Sequence, residues 1–139
     1  MSIKPTPQMT FKTDLACGIT ASEDEAGTKP IPYGGHFLRT GGGVTTVWVH
    51  STVRNAGPTA AKFSVKRSVK RYGSTYDVQA ELVLLAPGEL KKYKTPIIVN
   101  YLGTGTIEAE IMADADNVIS ETNELNNWAH TAFKATLIG

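Results

Sequence analysis

A chain of 139 residues, 41% of them hydrophobic, has the length of one domain and enough apolar side chains to bury a two-layer core. Its net charge of +1 excludes a domain that grips nucleic acid through a general basic excess, and its single cysteine, Cys17, excludes an internal disulfide framework. The opening "MSIKPTPQMT" lacks the basic-then-apolar order of a secretory signal, and no later apolar stretch approaches the roughly 20 residues of a membrane-spanning helix, so no membrane insertion is expected.

Apolar residues recur at period two and no long window keeps a helical stripe, so the expected class is all-β. Residues 1–13 read as an N-terminal arm and 14–139 as a single domain. "DLACGITAS" (14 to 22) is the first strand. The Gly- and Pro-rich segment 23–43 is too long for a tight turn and forms either a flap or an excursion along a sheet edge. "VTTVWVHSTVRN" (44 to 55) alternates, with Val47, Val49, Ser51 and Val53 inward and Trp48, His50 and Thr52 outward. "NAGPTAA" (55 to 61) is turn chemistry: Gly57 is free to take positive φ and Pro58 stops the ladder. In "KFSVKRSVKRY" (62 to 72), Phe63 and Val65 face the core, and a bulge is expected near Arg67, because Val69 shares their parity while an arginine resists burial.

"GSTYD" (73 to 77) turns the chain, "VQAELVLL" (78 to 85) is a strand, and "APGE" (86 to 89) turns it again. "LKKYKTPIIV" (90 to 99) contains Pro96, which cannot donate to a ladder, so that strand lies at an edge or breaks there. "GTIEAEIMA" (105 to 113) puts Ile107, Ala109, Ile111 and Ala113 in and Glu108, Glu110 and Met112 out, and "WAHTAFKATL" (128 to 137) closes the sheet. Seven short strands separated by turns at roughly ten-residue intervals are the signature of an immunoglobulin-like, seven-stranded Greek-key β-sandwich.

Charge is unevenly spread. From Lys62 to Lys94 the local balance is +5, and from Glu108 to Glu124 there are six acidic residues and no basic one. Opposite poles of this kind steer a partner or a neighbouring copy.

The stretch "DADNVISETNELNN" (114 to 127) is rich in carboxylates and carboxamides. As an EF-hand loop it fails, since Val118, Ile119 and Leu125 stand where a ligand, a glycine and a glutamate are required. Asp and Asn side chains bond nearby backbone amides and tolerate left-handed φ, so a hairpin that caps the sandwich is the preferred reading. A looser calcium site from Asp114, Asp116, Glu121 and Glu124 is the alternative.

"VRNAGPTAAKFSV", "LAPGE" and "DADNVISETNELNN" resemble, in order, the motifs of the CARDB family, named for cell adhesion related domains in bacteria. The resemblance spans roughly residues 14–137, and the terminal hairpin is its most specific part. It implies an immunoglobulin-like sandwich in an extracellular or cell-surface protein that mediates adhesion or assembly, with no catalytic residues to carry over. The chain departs from the family's pattern in the long segment after its first strand.

No nucleophile elbow, phosphate loop or dinucleotide fingerprint is present, and His36, His50 and His130 show no ligand spacing, so no enzyme is expected. Cys17, beside apolar residues, reads as buried and inert. Exposed aromatics are the better lead, because they mark partner surfaces and sugar-stacking platforms. Trp48, His50, Tyr33, His36, Phe37 and Arg39 form the candidate partner surface; Trp128 is either a core residue or a further exposed ring. The expected function is a non-catalytic protein-binding or assembly module, an adhesion-type domain or a subunit decorating a particle such as a virion. Its partners are then other proteins or copies of itself, and its place the cell or virion surface. The alternative is a carbohydrate-binding module that stacks glycans, with calcium as a cofactor.

Overall fold

A computed structural model describes residues 14–41, 44–100, 103–113 and 127–138. They form nine strands and no helix: β1 (Leu15–Ser22), β2 (Pro30–Ile31), β3 (His36–Thr40), β4 (Thr45–Asn55), β5 (Ala61–Arg71), β6 (Ser74–Leu85), β7 (Leu90–Val99), β8 (Gly103–Ala113) and β9 (Trp128–Ile138). Two sheets face each other, one ordered β2-β1-β4-β7 and the other β3-β9-β8-β5-β6. Every pairing is antiparallel except β3 with β9, which is parallel.

Alternation explains the core. Val47, Val49, Ser51 and Val53 of β4 are buried between the half-buried Trp48, His50 and Thr52. Ile107, Ala109, Ile111 and Ala113 of β8 are buried, while Glu108, Glu110 and Met112 lie on the other face. Opposing rows from the two sheets, with Phe63, Phe133, Ile97 and Leu137, fill the interior. Each buried Val, Ile, Leu or Phe among them contributes about 1.5–3 kcal/mol through removal from water.

The count of nine rather than seven strands comes from segment 23–43. It supplies β2, which pairs with the end of β1, and β3, which lies along β9 at the edge of the five-stranded sheet. The segment is therefore an excursion along sheet edges. Phe37 in β3 is buried to 1% exposure among core residues, so it does not belong to a partner surface. Alternation within β3 leaves His36 and Leu38 exposed, and Arg39, though it shares the parity of Phe37, is exposed as well.

Two local expectations are corrected. The register shift in β5 lies between Val69 and Lys70, not at Arg67. Arg67 keeps inward parity because its guanidinium stacks 4.1 Å from the Tyr93 ring centre and reaches Thr95 Oγ1 at 3.4 Å, which shields the charge at the sandwich rim. The turn after β5 is only Tyr72–Gly73, with φ of 56° and 83°, and the chain is a strand again by Ser74. Two left-handed residues match the twist of a tight hairpin.

Among the described residues, basic and acidic side chains are not segregated to opposite poles; Asp114, Asp116, Glu121 and Glu124 of the acidic segment lie outside them. β5 pairs directly with β8, so Lys66 and Lys70 run beside Glu108 and Glu110 on one sheet face. Pro96 sits in β7, an edge strand as expected. That edge is partly closed by the other sheet: Ile98 N–H donates to Tyr76 Oη at 3.1 Å, and Arg71 Nη1 donates to Ile98 O at 2.6 Å.

Candidate functional site

The proposed partner residues fall on two opposite faces. Trp48 and His50 lie on the outer face of the four-stranded sheet, Trp48 level with Ser22 and Pro96 on its neighbouring strands. The 23–29 turn leans over this face. Gly27, at φ +78°, passes so close to the His50 ring that an added Cβ would sit 3.4 Å from Nε2, and that nitrogen is buried without a hydrogen-bond partner. Lys94 Nζ reaches Glu25 Oε2 at 3.1 Å across the same turn.

The turn is held by Asp24, which accepts hydrogen bonds from Ser22 Oγ at 2.6 Å, from Thr28 Oγ1 and from Lys29 N–H at 3.1 Å. Those bonds, the Ser22 and Thr28 hydroxyls foremost, hold the Asp24 carboxyl far below the usual range. The covered histidine and the half-buried tryptophan leave little accessible aromatic area here.

Tyr33 and His36 lie at the outer face of the five-stranded sheet instead, beside residues the candidate surface omitted. The 32–35 turn docks on β9: Gly34 N–H donates to Ala132 O at 2.7 Å, and Lys134 N–H donates to Gly35 O at 2.9 Å. An added Cβ at Gly35 would meet Pro32 O at 2.8 Å, so this close turn requires glycine. The docking sets the Tyr33 ring edge-on to His130, with centroids 5.6 Å apart. Trp128, two residues before His130 on the same strand face, stacks on it at 5.8 Å and 5°.

Three rings thus stand in a row, Tyr33 at 68% and Trp128 at 46% exposure. Acidic side chains of β8 fix two of them. Trp128 Nε1–H donates to Glu110 Oε2 at 2.6 Å, and His130 Nε2 lies 3.8 Å from Glu108 Oε1. A depression of about 180 Å³ next to them is lined by Ser68, Lys70, Glu108, Ala109, Glu110 and His130. His36 Nε2 shares a 2.6 Å hydrogen bond with Thr136 Oγ1 further along the face, and Arg39 is exposed at the rim.

Trp128 is an exposed ring and not a core residue. Parity carries the signal: Thr131, Phe133, Ala135 and Leu137 are buried, which puts the even-numbered residues of β9 outside. Asp114, Asp116, Glu121 and Glu124, the alternative calcium ligands, lie outside the described residues. Among the described residues no group of three His, Cys, Asp or Glu side chains converges as a metal site. Cys17 is half-buried on the inward face of β1 and donates to Asn127 O at 3.3 Å.

Comparison with solved structures agrees with the architecture. The crystal structure of the CARDB domain of the PF1109 protein from Pyrococcus furiosus, in complex with di-metal ions, aligns with 92% of this chain and 96% of its own, at 21% identity and a TM-score of 0.58. The solution structure of the same domain aligns with 90% of this chain and 96% of its own, at 22% identity and a TM-score of 0.57. A β-glucosidase from Erythrobacter marinus aligns with 89% of this chain but 16% of its own, at 18% identity and a TM-score of 0.45, too low to carry an argument. No curated protein matches. The family model that matches is CARDB, over residues 41–131, which run from just after β3 into β9 and take in the turns at 55–61 and 86–89. The chain belongs to the CARDB family.

Proposed function

We propose that this chain is a non-catalytic protein-binding or assembly module that makes contact through the outer face of its five-stranded sheet. The observation that carries the reading is the row of Trp128, His130 and Tyr33, held by Glu110 and the docked 32–35 turn and still open to solvent. Rings fixed before contact lose little conformational freedom on binding and bring large apolar area, the profile of interface anchors. Membership in an adhesion-related family supports the same reading, with the protein at an extracellular or cell surface; attachment to other proteins there, or on a virion, belongs to the proposal.

The test compares attachment of variants to the native assembly by co-sedimentation. Trp128→Ala is expected to lower the attached fraction at least tenfold, since anchor truncations cost about 2 kcal/mol or more. Thr20→Ala, exposed on the opposite sheet, leaves attachment unchanged. Equal attachment of Trp128→Ala and the wild type contradicts the proposed surface.

A second reading, glycan binding, draws on the same rings, because an aromatic face beside carboxylates is also how sugars are held. Calcium bound by Asp114, Asp116, Glu121 and Glu124 would belong to that reading. A glycan array probed with and without chelator decides between the two: Trp128-dependent glycan signal favours the sugar, and its absence favours protein.

A further inference from the structure

The outer face of the five-stranded sheet is banded in strand order. β9 presents Trp128 and His130, β8 presents Glu108 and Glu110, β5 presents Lys62, Lys66 and Lys70, and β6 presents Val78, Leu82 and Leu84. Val78, Leu82 and Leu84 are 48%, 65% and 68% exposed, on a strand at the sheet edge. The three lysines are exposed, and none forms an ion pair among the described residues. Aliphatic side chains in a row on an edge strand are unfavourable in water unless something covers them.

Register sets the bands level with one another. Val78, Ser68, Glu110 and His130 share one row across the sheet, and Ala80, Lys66, Met112 and Trp128 share the next. Lys70 stands level with Glu108 on the other side.

We propose that this face binds a second copy of the chain about a two-fold axis that lies in the contact plane, parallel to the strands, between β5 and β8. The proposal rests on the protein-binding reading above and names the partner. Such a rotation preserves each residue's level along the strands while it exchanges β5 with β8 and β6 with β9. Lys70 of each copy then meets Glu108 of the other, Lys66 comes within one row of the other copy's Glu110, and the aliphatic band of β6 lies against the Trp128 and His130 rings. Every charged band meets its opposite and the apolar band meets the aromatic one, twice over, as a self-complementary interface requires. Charge also fixes the lateral position. An axis half a strand spacing to either side, lying on β8 or on β5, would set β8 on β8, glutamate against glutamate, or β5 on β5, lysine against lysine.

The experiment is analytical ultracentrifugation of the full chain over a dilution series at low salt, with Lys70→Glu and Glu108→Lys as separate variants. Wild type is expected to sediment as a dimer at high concentration, and each single variant, with two like-charge contacts per dimer, as a monomer. An equimolar mixture of the two variants is expected to regain the dimer, because both contacts are then Lys–Glu or Glu–Lys pairs between chains. Since Lys70 and Glu108 are also neighbours within one chain, only the mixture isolates the contact between copies. A mixture that stays monomeric, or a wild type that does, overturns the proposal. A monomeric wild type whose attachment to its assembly still depends on Trp128 overturns self-contact and leaves the protein-binding reading standing; one whose attachment ignores Trp128 overturns both.

Discussion

The backbone N–H of Gly88 donates to the carbonyl of Asn55 at 2.6 Å, and the N–H of Asn55 donates to the carbonyl of Glu89 at 3.0 Å. The Asn55 side chain is fully buried between the same two turns. Its Nδ2 donates to Thr59 O at 2.7 Å and Leu85 O at 3.1 Å, and its Oδ1 accepts from Gly57 N–H at 3.0 Å. One residue therefore joins the turn at 55–61 to the turn at 86–89, which are adjacent only in the folded chain.

Asn55→Ala removes the Asn55 partner from three backbone groups, those of Leu85 and Gly57 in buried bonds and that of Thr59 in a part-buried one, at about 1–3 kcal/mol for each buried group, partly offset by relaxation, so a loss of about 3 kcal/mol is expected. Asn55→Asp keeps the acceptor but loses both donors and is expected to be destabilising as well. Urea unfolding measures both. A change below about 1 kcal/mol in the alanine variant would contradict the account of this junction.

The motif reading found both turns without finding what links them, because a hydrogen bond from Asn55 to Leu85 spans 30 residues and leaves no periodic trace. Strand parity, by contrast, is local and was legible: β4 and β8 bury the predicted residues. The inward direction of Phe37 was not legible, because it is set by parallel pairing of β3 with β9 about a hundred residues away. At Arg67 parity held and the expected bulge did not, because aromatic stacking on another strand outweighs the cost of burying part of a guanidinium. Of the candidate surface, Tyr33 reached the aromatic row, but its neighbour His130 was read as a scattered histidine. Only the docking of Gly34 and Gly35 on β9 brings the two rings together.

Gly105 lies under the Tyr72 ring, and an added Cβ would stand 2.1 Å from Tyr72 Cδ1. Tyr72 is held in a left-handed turn at φ 56°, so it yields little. Gly105→Ala is expected to cost about 2 kcal/mol by overpacking, and much less in a Tyr72→Gly background, where the ring is gone. A double-mutant cycle by thermal unfolding checks this; additive losses would show that the two residues do not press on each other.

Tyr93 and Glu81 predict the shape of the pH profile. Burial first, and then the neighbouring Glu81 carboxylate, push the Tyr93 phenol above its ordinary value, and the Tyr93 phenol, followed by Lys91, draws Glu81 below its own. The raised tyrosine contributes stability that is present below its unfolded pKa of about 10 and is lost as pH rises beyond it. The lowered glutamate contributes stability that is present above its unfolded pKa of about 4.3 and is lost as pH falls below it. Tyr93→Phe is expected to remove its share of the alkaline loss and to weaken the acid one, read as denaturation midpoints against pH. Profiles that superimpose would reject the pairing.

The most direct measurement of the central claim is site-specific photo-cross-linking in the native setting. A photoreactive residue replaces Met112, level with Trp128 on one face of the sandwich, or Thr20 on the other. The account predicts protein adducts from position 112 and none from position 20. Adducts from position 20 alone, or from neither, would contradict contact through the five-stranded sheet.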